Sequence, residues 1–293
     1  MATLECDCPA KINLHLSIHG RREDGFHALT SLMVPLKFGD ALRVERLDDS
    51  QQDTLHCDAP EIPLDKRNLI LQAANRFRFE TNSEVYFSFE LTKRIPVGAG
   101  LGGGSSNAAV ALRMMNKLCG EPLKKERLIY VAAQLGSDCP FFLESGAMIV
   151  SGRGEILKPL DGGIARSLSG LPVILFKPEF AISTKTAYDD LIQDAPASYT
   201  NERKSEDLLS AFKAGGELLQ VLHNSFEKTA SRKYRALEAV LFQLREARIP
   251  CLMSGSGSCC FAVPANSQAA HTAETIAKNA FGDHSFIVKT CVA

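Results

Sequence analysis

The residues best suited to chemistry stand in a glycine-rich run that begins at Pro96. The stretch PVGAGLGGGSSNAAVAL, residues 96–112, places five glycines within seven residues and then passes through two serines into alanines and aliphatic residues. Glycine adopts positive φ at little cost and lets a ligand approach the backbone. A helix that begins directly after such a run presents unpaired N–H groups and the positive end of its dipole. The run therefore predicts phosphate binding.

Two common nucleotide-binding loops do not match this run. A Walker loop ends in Gly-Lys-Ser or Gly-Lys-Thr, and no lysine precedes the serines here. A Rossmann loop requires a second strand followed by an acidic residue about 20 positions further on, and the pattern lacks that strand. A structural turn or a flexible linker is the ordinary alternative. The run lies between an alternating strand and an amphipathic helix, however, which favours a third way of binding phosphate.

The elements before the run carry polar residues on one face. Residues 8–18 alternate between apolar and polar side chains, with Lys11 and Asn13 on the polar face, which predicts a strand with its other face in a core. The segment GRREDGFHAL then predicts a turn. Further strands are predicted at 29–36, 41–46 and 84–91, and a helix at 68–79.

The run opens a helix of several turns. Apolar residues from Ala108 to Leu118 recur at steps of three and four, and Gly120 ends the pattern. A second helix is predicted over 123–135; it stops at Gly136 and delivers Asp138 just beyond its end. A strand pair is predicted within 141–150.

Strands and helices also interleave in the second half of the chain. The segment 162–170 is rich in Gly and Ser and predicts a boundary, so we assign domains to residues 1–162 and 163–293. The elements predicted after it are a strand at 173–176, helices at 184–192, 207–212, 217–227 and 234–247, a strand-turn-strand at 251–263 around SGSGS, a helix at 269–280 and a strand at 285–290.

The composition indicates a globular protein with a small partner. The chain has 293 residues, 45% of them hydrophobic, which is enough for two domains. Its 33 basic and 34 acidic residues nearly cancel, which argues against nucleic acid as a partner. No apolar run approaches the roughly 20 residues that cross a bilayer, so we expect no membrane association. The start MATLECDC resembles neither a secretory leader nor a transit peptide.

The cysteines predict a reduced, cytoplasmic protein. There are nine, an odd number without a CxxC pair, and the adjacent Cys259 and Cys260 are poorly placed to bridge each other. Cys6 and Cys8 lack a second cluster that would complete a zinc site. We therefore expect free thiols.

Three motifs in order resemble the GHMP kinases, the superfamily of galactokinase, homoserine kinase and mevalonate kinase. They are PAKINLHL at 9–16, PVGAGLGGGSSNAA at 96–109 and MSGSGSCCFAV at 253–263. The resemblance covers essentially the whole chain. It implies an α+β, two-domain GHMP kinase fold, with an N-terminal domain like ribosomal protein S5 domain 2 and a ferredoxin-like C-terminal domain. It also implies ATP and Mg²⁺, and a monomer or weak homodimer.

Within the superfamily, GRREDGFHAL, the triple glycine and LGSDCPFF are similar to the kinases that act on a cytidine diphosphate-linked methylerythritol. The resemblance implies transfer of the ATP γ-phosphate to the tertiary 2-hydroxyl of that small molecule. Asp138 stands in the position of the general base, and Lys11 would keep this carboxylate ionised and orient the reacting groups. Without the resemblance, Asp138 is a turn-forming residue and Lys11 a solvated strand residue.

The resemblance also implies a substrate site. Asn13 matches a position near the acceptor sugar chain, and His27 matches the residue that hydrogen-bonds the cytosine edge. Phe26 and Tyr188 supply the aromatic surface for cytosine, and Thr184 would touch the ribose or the diphosphate. The ordinary alternatives are a surface amide, an exposed turn histidine and aromatic residues packed in a core.

For ATP, the resemblance assigns the glycine run and two outlying residues. Asn68 and Lys93 match positions near adenine and ribose, although a helix cap and a solvated strand end are their ordinary readings. Ser106 is the nearest candidate ligand for magnesium. The SGSGS turn at 254–258 would close on the first loop or on substrate phosphates. The residues of the run are Pro96, Gly98, Gly100, Leu101, Gly102, Gly103, Gly104, Ser105, Ser106 and Asn107.

Two other functions compete with this one. A mevalonate or homoserine kinase would keep the chemistry and change the acceptor, but the DGFH segment and the aromatic residue of the C-terminal half argue against it. A ligand sensor with the GHMP kinase fold would bind without turnover. Such a protein tolerates loss of the carboxylate and the lysine, and both are present here.

Overall fold

The computed structural model describes residues 2–48 and 50–293, which form two compact units. The first unit contains the chain up to Ala10, Phe38–Pro96 and Gly102–Ser145; the second contains Lys11–Lys37, Val97–Leu101 and Gly146–Ala293. Each unit is built from several segments because the first two strands run through both. The domain boundary predicted between residues 162 and 163 stays a prediction.

The sheet that the first unit contributes to includes the predicted alternating strand, which lies within β1. Strand β1 covers Thr3–Arg21, β2 His27–Leu47, β3 Thr54–Cys57 and β4 Tyr86–Thr92. Strand β1 neighbours β2, residues 41–47 of β2 pair antiparallel with β4, and β3 pairs parallel with β4.

The two strands predicted at 29–36 and 41–46 are one strand, β2, so the predicted break is wrong. The reason lies at Gly39. A Cβ there would overlap the backbone of Cys8 and Pro9, so glycine lets β2 stay extended where it passes very close to β1.

In the part of the first unit that the structure describes, three helices accompany these strands. Helix α1 covers Leu69–Thr81, α2 Gly103–Leu118 and α3 Lys125–Leu135. The helix predicted after the run is confirmed as α2, but residues 106–112 are all buried, so it packs on more than the one predicted face. The strand predicted from Phe141 is wrong. Pro140 instead starts a 3-10 turn, Pro140–Leu143, in which Phe141 and Phe142 bury their rings edge to face at 5.1 Å.

The second unit holds strands from two sheets. Strand β5, Met148–Ser151, pairs antiparallel with β6, Ile156–Pro159, and with residues 31–33 of β2. Strand β8, His223–Asn224, pairs parallel with β1 at His15 and Leu16. The other sheet is antiparallel in the order β11-β7-β10-β9. Its strands are β7 Pro172–Lys177, β9 Cys251–Met253, β10 Cys260–Ala262 and β11 Phe286–Cys291.

The second unit contains the helices α4 Gly162–Leu168, α5 Thr184–Gln193, α6 Glu202–Lys213, α7 Leu218–Val221, α8 Glu227–Lys233, α9 Arg235–Glu246 and α10 Ser267–Phe281. Buried residues of α5, α8, α9 and α10 share one apolar core with those of β7, β9 and β10. The segregation of helices and antiparallel strands confirms the α+β prediction. Of the helices described, none is both long and apolar enough to cross a bilayer.

The helix predicted at 217–227 is wrong, because it is interrupted by β8. Asn224 explains the interruption. Its Nδ2 donates to Met253 O at 2.7 Å and to Gly255 O at 2.9 Å, and its Oδ1 accepts from Phe226 N at 2.9 Å. These bonds tie the backbone to β9 and to the turn after it, which a continuous helix could not do.

Candidate active site

The N-terminus of α2 presents backbone amides beside a glycine. Gly102 precedes the helix with φ of 72°, in the left-handed region that favours glycine. It has no side chain with which to cap the helix, and the structure records no side-chain hydrogen bond at this cap. Helix α1, by contrast, is capped by Asn68, whose Oδ1 accepts from Ile70 N at 2.9 Å. Amides left uncapped at the positive end of a helix dipole suit an anion.

Ser106 adds a buried hydroxyl to this helix end. Its backbone N donates to Gly102 O at 2.9 Å, which places it in the first turn. The side chain is fully buried, and among the residues that the structure describes its Oγ has no hydrogen-bond partner. A buried hydroxyl without a partner costs about 1–3 kcal/mol. A ligand oxygen or a cation at this point would remove that cost.

A buried carboxylate fixes the strand end that leads into the glycine run. Asp40 is fully buried and forms an ion pair with Lys93, whose side chain is 7% exposed. Its Oδ1 accepts from Arg94 N at 2.7 Å and Ile95 N at 2.8 Å, and its Oδ2 accepts from Asn107 Nδ2 at 2.9 Å. One carboxylate thus joins the end of β4 to the first turn of α2. The ordinary alternative for Lys93, a solvated strand end, is excluded because its side chain is buried.

Gly103 lies directly above this network. A Cβ on it would stand 3.0 Å from Ile95 Cγ2 and 3.1 Å from Lys93 Nζ, so a larger residue would push the strand end away from the helix. The sequence prediction missed Asp40. Its signal was a carboxylate in FGDAL, between apolar residues of a strand, where a charge is buried only when it has partners.

The turn that carries Asp138 packs against the start of α2. Helix α3 ends at Gly136, where a Cβ would lie 3.4 Å from Cys139 Sγ and 3.8 Å from Ser105 Oγ. Burial raises the pKa of the Cys139 thiol to about 12, although a hydrogen bond with Ser105 lowers it. The thiol is therefore neutral and is not a nucleophile. Within the first unit, the structure places the Asp138 turn beside Ser105.

In the second unit, the start of the glycine run meets the SGSGS turn. Gly100 O accepts from Ser254 Oγ at 3.1 Å. A Cβ on Gly100, which has φ of 74°, would overlap Ser254 O, so only glycine fits there. The predicted contact of the SGSGS turn with the first loop is confirmed. Earlier in the loop, Gly98 has φ of 62° and is exposed, while Pro96 is partly exposed.

Lys11 and Asn13 form a buried pair on β1. Lys11 Nζ donates to Asn13 Oδ1 at 2.7 Å, and Asn13 Nδ2 donates to Ser31 Oγ at 2.8 Å. A Cβ on Gly255 would lie 3.2 Å from Nζ, and Lys11 N donates to Leu101 O at 3.0 Å. The ammonium group therefore stands beside the SGSGS turn and the glycine run. Neither residue is on the surface, which excludes their ordinary readings.

The residues predicted to recognise cytosine are Phe26, in the turn after β1, His27, the first residue of β2, and Tyr188, on α5. The rings of His27 and Tyr188 have centroids 4.8 Å apart. Burial and the nearby Arg21 lower the pKa of His27 below 6.5, so the imidazole is neutral at pH 7. Phe26 is 50% exposed and lies under the guanidinium of Arg153, 4.8 Å from ring centroid to Cζ. Phe26 is thus a surface aromatic, not a core residue.

Helix α5 also carries Thr184, which approaches the SGSGS turn. Thr184 Oγ1 lies 3.3 Å from Ser256 Oγ. A further residue, which the sequence did not indicate, is Tyr199. Its hydroxyl lies 3.3 Å from His27 Nε2. It stands in the non-helical segment between α5 and α6, where nothing in the sequence points to a contact with a residue 172 positions away.

Comparison with known proteins supplies the family. The model of the GHMP kinase N-terminal domain matches residues 68–146, and that of the GHMP kinase C-terminal domain matches residues 206–283. The chloroplastic 4-diphosphocytidyl-2-C-methyl-D-erythritol kinase of Arabidopsis thaliana is 36% identical over 262 residues, which cover 88% of this chain and 67% of the plant protein. The protein of that name from Protochlamydia amoebophila is 35% identical over 263 residues, covering 90% and 85% of the two chains.

Solved structures agree with this similarity. A crystal structure of 4-(cytidine 5'-diphospho)-2C-methyl-D-erythritol kinase matches with a TM-score of 0.77 and 32% identity, over 99% of this chain and all of that one. The homoserine kinase of Cytophaga hutchinsonii matches with a TM-score of 0.75 and 19% identity, over 100% of this chain and 95% of that one. The second match shows a shared fold.

Proposed function

Because the chain belongs to the 4-diphosphocytidyl-2-C-methyl-D-erythritol kinases of the GHMP kinase family, we propose that it transfers the γ-phosphate of ATP to the 2-hydroxyl of that cytidine diphosphate-linked alcohol. The product is the 2-phosphate, an intermediate of non-mevalonate isoprenoid biosynthesis, together with ADP. The chain is an ATP-dependent kinase of the GHMP fold. The single observation that carries the proposed site is the glycine-flanked start of α2, where no side chain caps the helix and Ser106 Oγ is buried without a partner among the described residues.

The ATP phosphates are held by the glycine run, in this proposal. Three properties support it: Gly102 leaves the helix end uncapped, Gly104 is exposed, and the dipole of a four-turn helix points its positive end toward the run. The Asp40 carboxylate keeps Asn107 and the strand end in place, so the amides are preorganised before ATP arrives. Direct contacts of Asn68 and Lys93 with adenine or ribose stay predictions.

Magnesium is implied by the chemistry of ATP, and the residues present fit it in one respect. Ser106 Oγ is buried and has no hydrogen-bond partner in the part of the chain that the structure describes, and it is the oxygen we propose as the protein's ligand. Among the described residues, no group of three His, Cys, Asp or Glu side chains could hold a metal by itself. A magnesium ion supplies charge neutralisation on the phosphates when it is bound with ATP. Most of its ligands would then be phosphate oxygens and water.

Asp138 and Lys11 carry the proposed chemistry. Phosphoryl transfer requires alignment of the acceptor hydroxyl and stabilisation of the charge on the moving group. Asp138 accepts the proton of the 2-hydroxyl, since a tertiary alcohol is a poor nucleophile at neutral pH. Lys11 offers a desolvated ammonium that Asn13 orients through its Oδ1. Both the oxygen and the nitrogen of the Asn13 amide have hydrogen-bond partners inside the protein. Its proposed role is therefore to hold Lys11 in place, in addition to lying near the sugar chain.

Recognition of the cytidine part is assigned to the second unit. His27 is neutral and has one ring nitrogen to offer a base, Tyr188 provides a ring beside it, and Phe26 gives exposed aromatic surface. Thr184, at the start of α5, is proposed near the ribose or diphosphate. A cytoplasmic location is also proposed, because all nine cysteines are free thiols, which suits a reducing compartment.

One experiment tests the proposed function against its competitors. Purified protein is mixed with Mg-ATP and 4-diphosphocytidyl-2-C-methyl-D-erythritol, mevalonate or homoserine, and ADP release is followed while ³¹P NMR identifies the product. Turnover of the cytidylyl compound alone, with a new phosphate monoester signal, supports the proposal. Turnover of mevalonate or homoserine, with no turnover of the cytidylyl compound, contradicts the proposed substrate but keeps the assignment to the GHMP kinase superfamily. Tight binding of the cytidylyl compound without any turnover indicates a sensor.

A further inference from the structure

Tyr199 contacts one ring nitrogen of His27, Nε2. Its hydroxyl lies 3.3 Å from His27 Nε2, and the two ring centroids are 6.0 Å apart at an interplanar angle of 53°. A tilt of this size brings the phenol to the edge of the imidazole, where the ring nitrogens are. The contact is therefore polar and directed at one atom.

The backbone at Tyr199 is fastened to the strands beneath it. Thr200 N donates to Ile18 O at 2.8 Å, and Thr200 O accepts from His19 Nδ1 at 2.9 Å. Thr200 Oγ1 lies 2.9 Å from His223 Nε2 and 3.0 Å from Ser225 Oγ. Strands β1 and β8 thus both hold the residue next to Tyr199. A hydroxyl carried on such a backbone is a fixed reference point for His27, although Tyr199 itself belongs to no helix or strand.

The bond to Tyr199 decides which tautomer His27 adopts. A neutral imidazole has one nitrogen that donates and one that accepts, and the partner of one nitrogen fixes the role of the other. A phenol is the more acidic O–H and a good donor, whereas the unprotonated imidazole nitrogen is a strong acceptor. The favoured direction is donation from Tyr199 Oη to His27 Nε2. The proton of the imidazole then resides on Nδ1.

We propose that Tyr199 is a positioning residue for substrate recognition, which holds His27 as the Nδ1–H tautomer so that it donates to an acceptor atom of the pyrimidine. Cytosine carries two such acceptors, the 2-oxo oxygen and N3. Only the identity of the ligand rests on the proposed function; the contact between the two side chains stands on its own. Because burial and Arg21 keep the imidazole neutral, the choice of tautomer decides whether His27 offers a donor or an acceptor.

The test compares Tyr199→Phe with Tyr130→Phe. Both changes delete one phenolic oxygen and keep the ring, and Tyr130 is an exposed residue of α3 that serves as the control. The first readout is the ¹⁵N NMR spectrum of ring-labelled histidine in the free protein, with the His27 signals identified from a His27→Gln variant. The second is steady-state kinetics, with ATP and the cytidylyl alcohol varied separately.

The expected results differ between the two variants. Tyr199→Phe should move His27 from the Nδ1–H form toward a mixture with the Nε2–H form. It should also raise KM for the cytidylyl alcohol about three- to tenfold, since one neutral hydrogen bond is lost, and leave kcat and KM for ATP within twofold. Tyr130→Phe should change neither readout. A merely structural role of Tyr199 would lower stability without shifting the tautomer.

Two outcomes overturn the proposal. One is a Tyr199→Phe protein whose His27 spectrum matches that of the parent. The other is a shifted tautomer with an unchanged KM for the cytidylyl alcohol. Failure of the proposed function looks different: the parent protein then fails to turn over the cytidylyl alcohol, while the spectra of the free protein still report on the contact between Tyr199 and His27.

Discussion

Replacing Gly104 with alanine separates the needs of the fold from those of the ligand. Gly104 lies in the first turn of α2, is exposed, and does not have a positive φ. A Cβ on it would lie 3.7 Å from Leu69 Cδ1, an ordinary van der Waals contact. The fold therefore does not require glycine at this position. Close approach of a phosphate to the helix backbone does require it, because a methyl group would stand in the way.

The two effects have opposite signs. Alanine is favoured over glycine by about 0.8–1 kcal/mol within a helix and by less in the first turn, so Gly104→Ala should raise the free energy of unfolding by roughly 0.5 kcal/mol. A hydrogen bond to a charged oxygen contributes about 1.5–3 kcal/mol. Loss of one backbone amide contact to a phosphate should therefore raise KM for ATP about ten- to 150-fold.

The assay pairs urea unfolding with initial rates at a saturating concentration of the acceptor. Gly103→Ala is the matched comparison, since its Cβ would press on Ile95 at 3.0 Å and on Lys93 at 3.1 Å. That variant should lose both stability and ATP affinity. Gly104→Ala should gain stability and lose ATP affinity. A Gly104→Ala protein with KM for ATP within twofold of the parent would refute the assignment of phosphate binding to this helix end.

Substitutions at Asp138, Gly100 and His223 should each change a different property of the protein. Asp138→Ala should reduce kcat about 100-fold or more under conditions where urea unfolding shows the variant to be folded, and a loss of only a few fold would remove Asp138 as the base. Gly100→Ala should lower kcat/KM for ATP at least tenfold, because the added Cβ overlaps Ser254 O. Gly120 has nearly the same φ but open space around it, so Gly120→Ala should cost about 1 kcal/mol of stability and leave the kinetics unchanged. Equal kinetics for the two variants would contradict the packing argument. Burial and His15 lower the pKa of His223 from 6.5 to about 4. Its contribution to the free energy of unfolding is therefore complete above pH 6.5 and declines by up to about 3 kcal/mol as the pH falls toward 4. Urea unfolding at pH 7.5 and at pH 5 should show a smaller difference in the free energy of unfolding between the two pH values for His223→Gln than for the parent.

Local patterns predicted the elements that carry the site. The alternation in β1 and the three- and four-residue spacing in α2 identified both elements, because each pattern has the period of its backbone, but the structure buries more than the one predicted face of each. The glycine run predicted an anion site since both signals, positive φ and a helix start, are local. Thus Lys11, Asn13 and Ser106 were placed on the right elements from sequence alone.

Contacts between residues far apart in the chain could not be predicted from the sequence. The buried partners of Asp40 come from residues 53 to 67 positions further along the chain, and periodicity carries no signal for such pairs. The break of the helix predicted at 217–227 depends on Asn224 binding the turn at Gly255. Tyr199 reaches His27 only because Thr200 is tied to β1. In each case a side chain satisfies a tertiary partner, and this overrides or supplements local preference.

The proposed function depends above all on one contact, in which the backbone amides at the start of α2 bind the phosphates of ATP. An amide ¹H–¹⁵N spectrum of the deuterated protein, titrated with Mg²⁺ and a non-hydrolysable ATP analogue, tests it directly. The largest shifts are predicted at the amides of Gly102, Gly103, Gly104, Ser105 and Ser106, and they should shrink when adenosine replaces the triphosphate. Saturable binding that leaves these five signals unmoved, with the large shifts elsewhere in the chain, would contradict the claim.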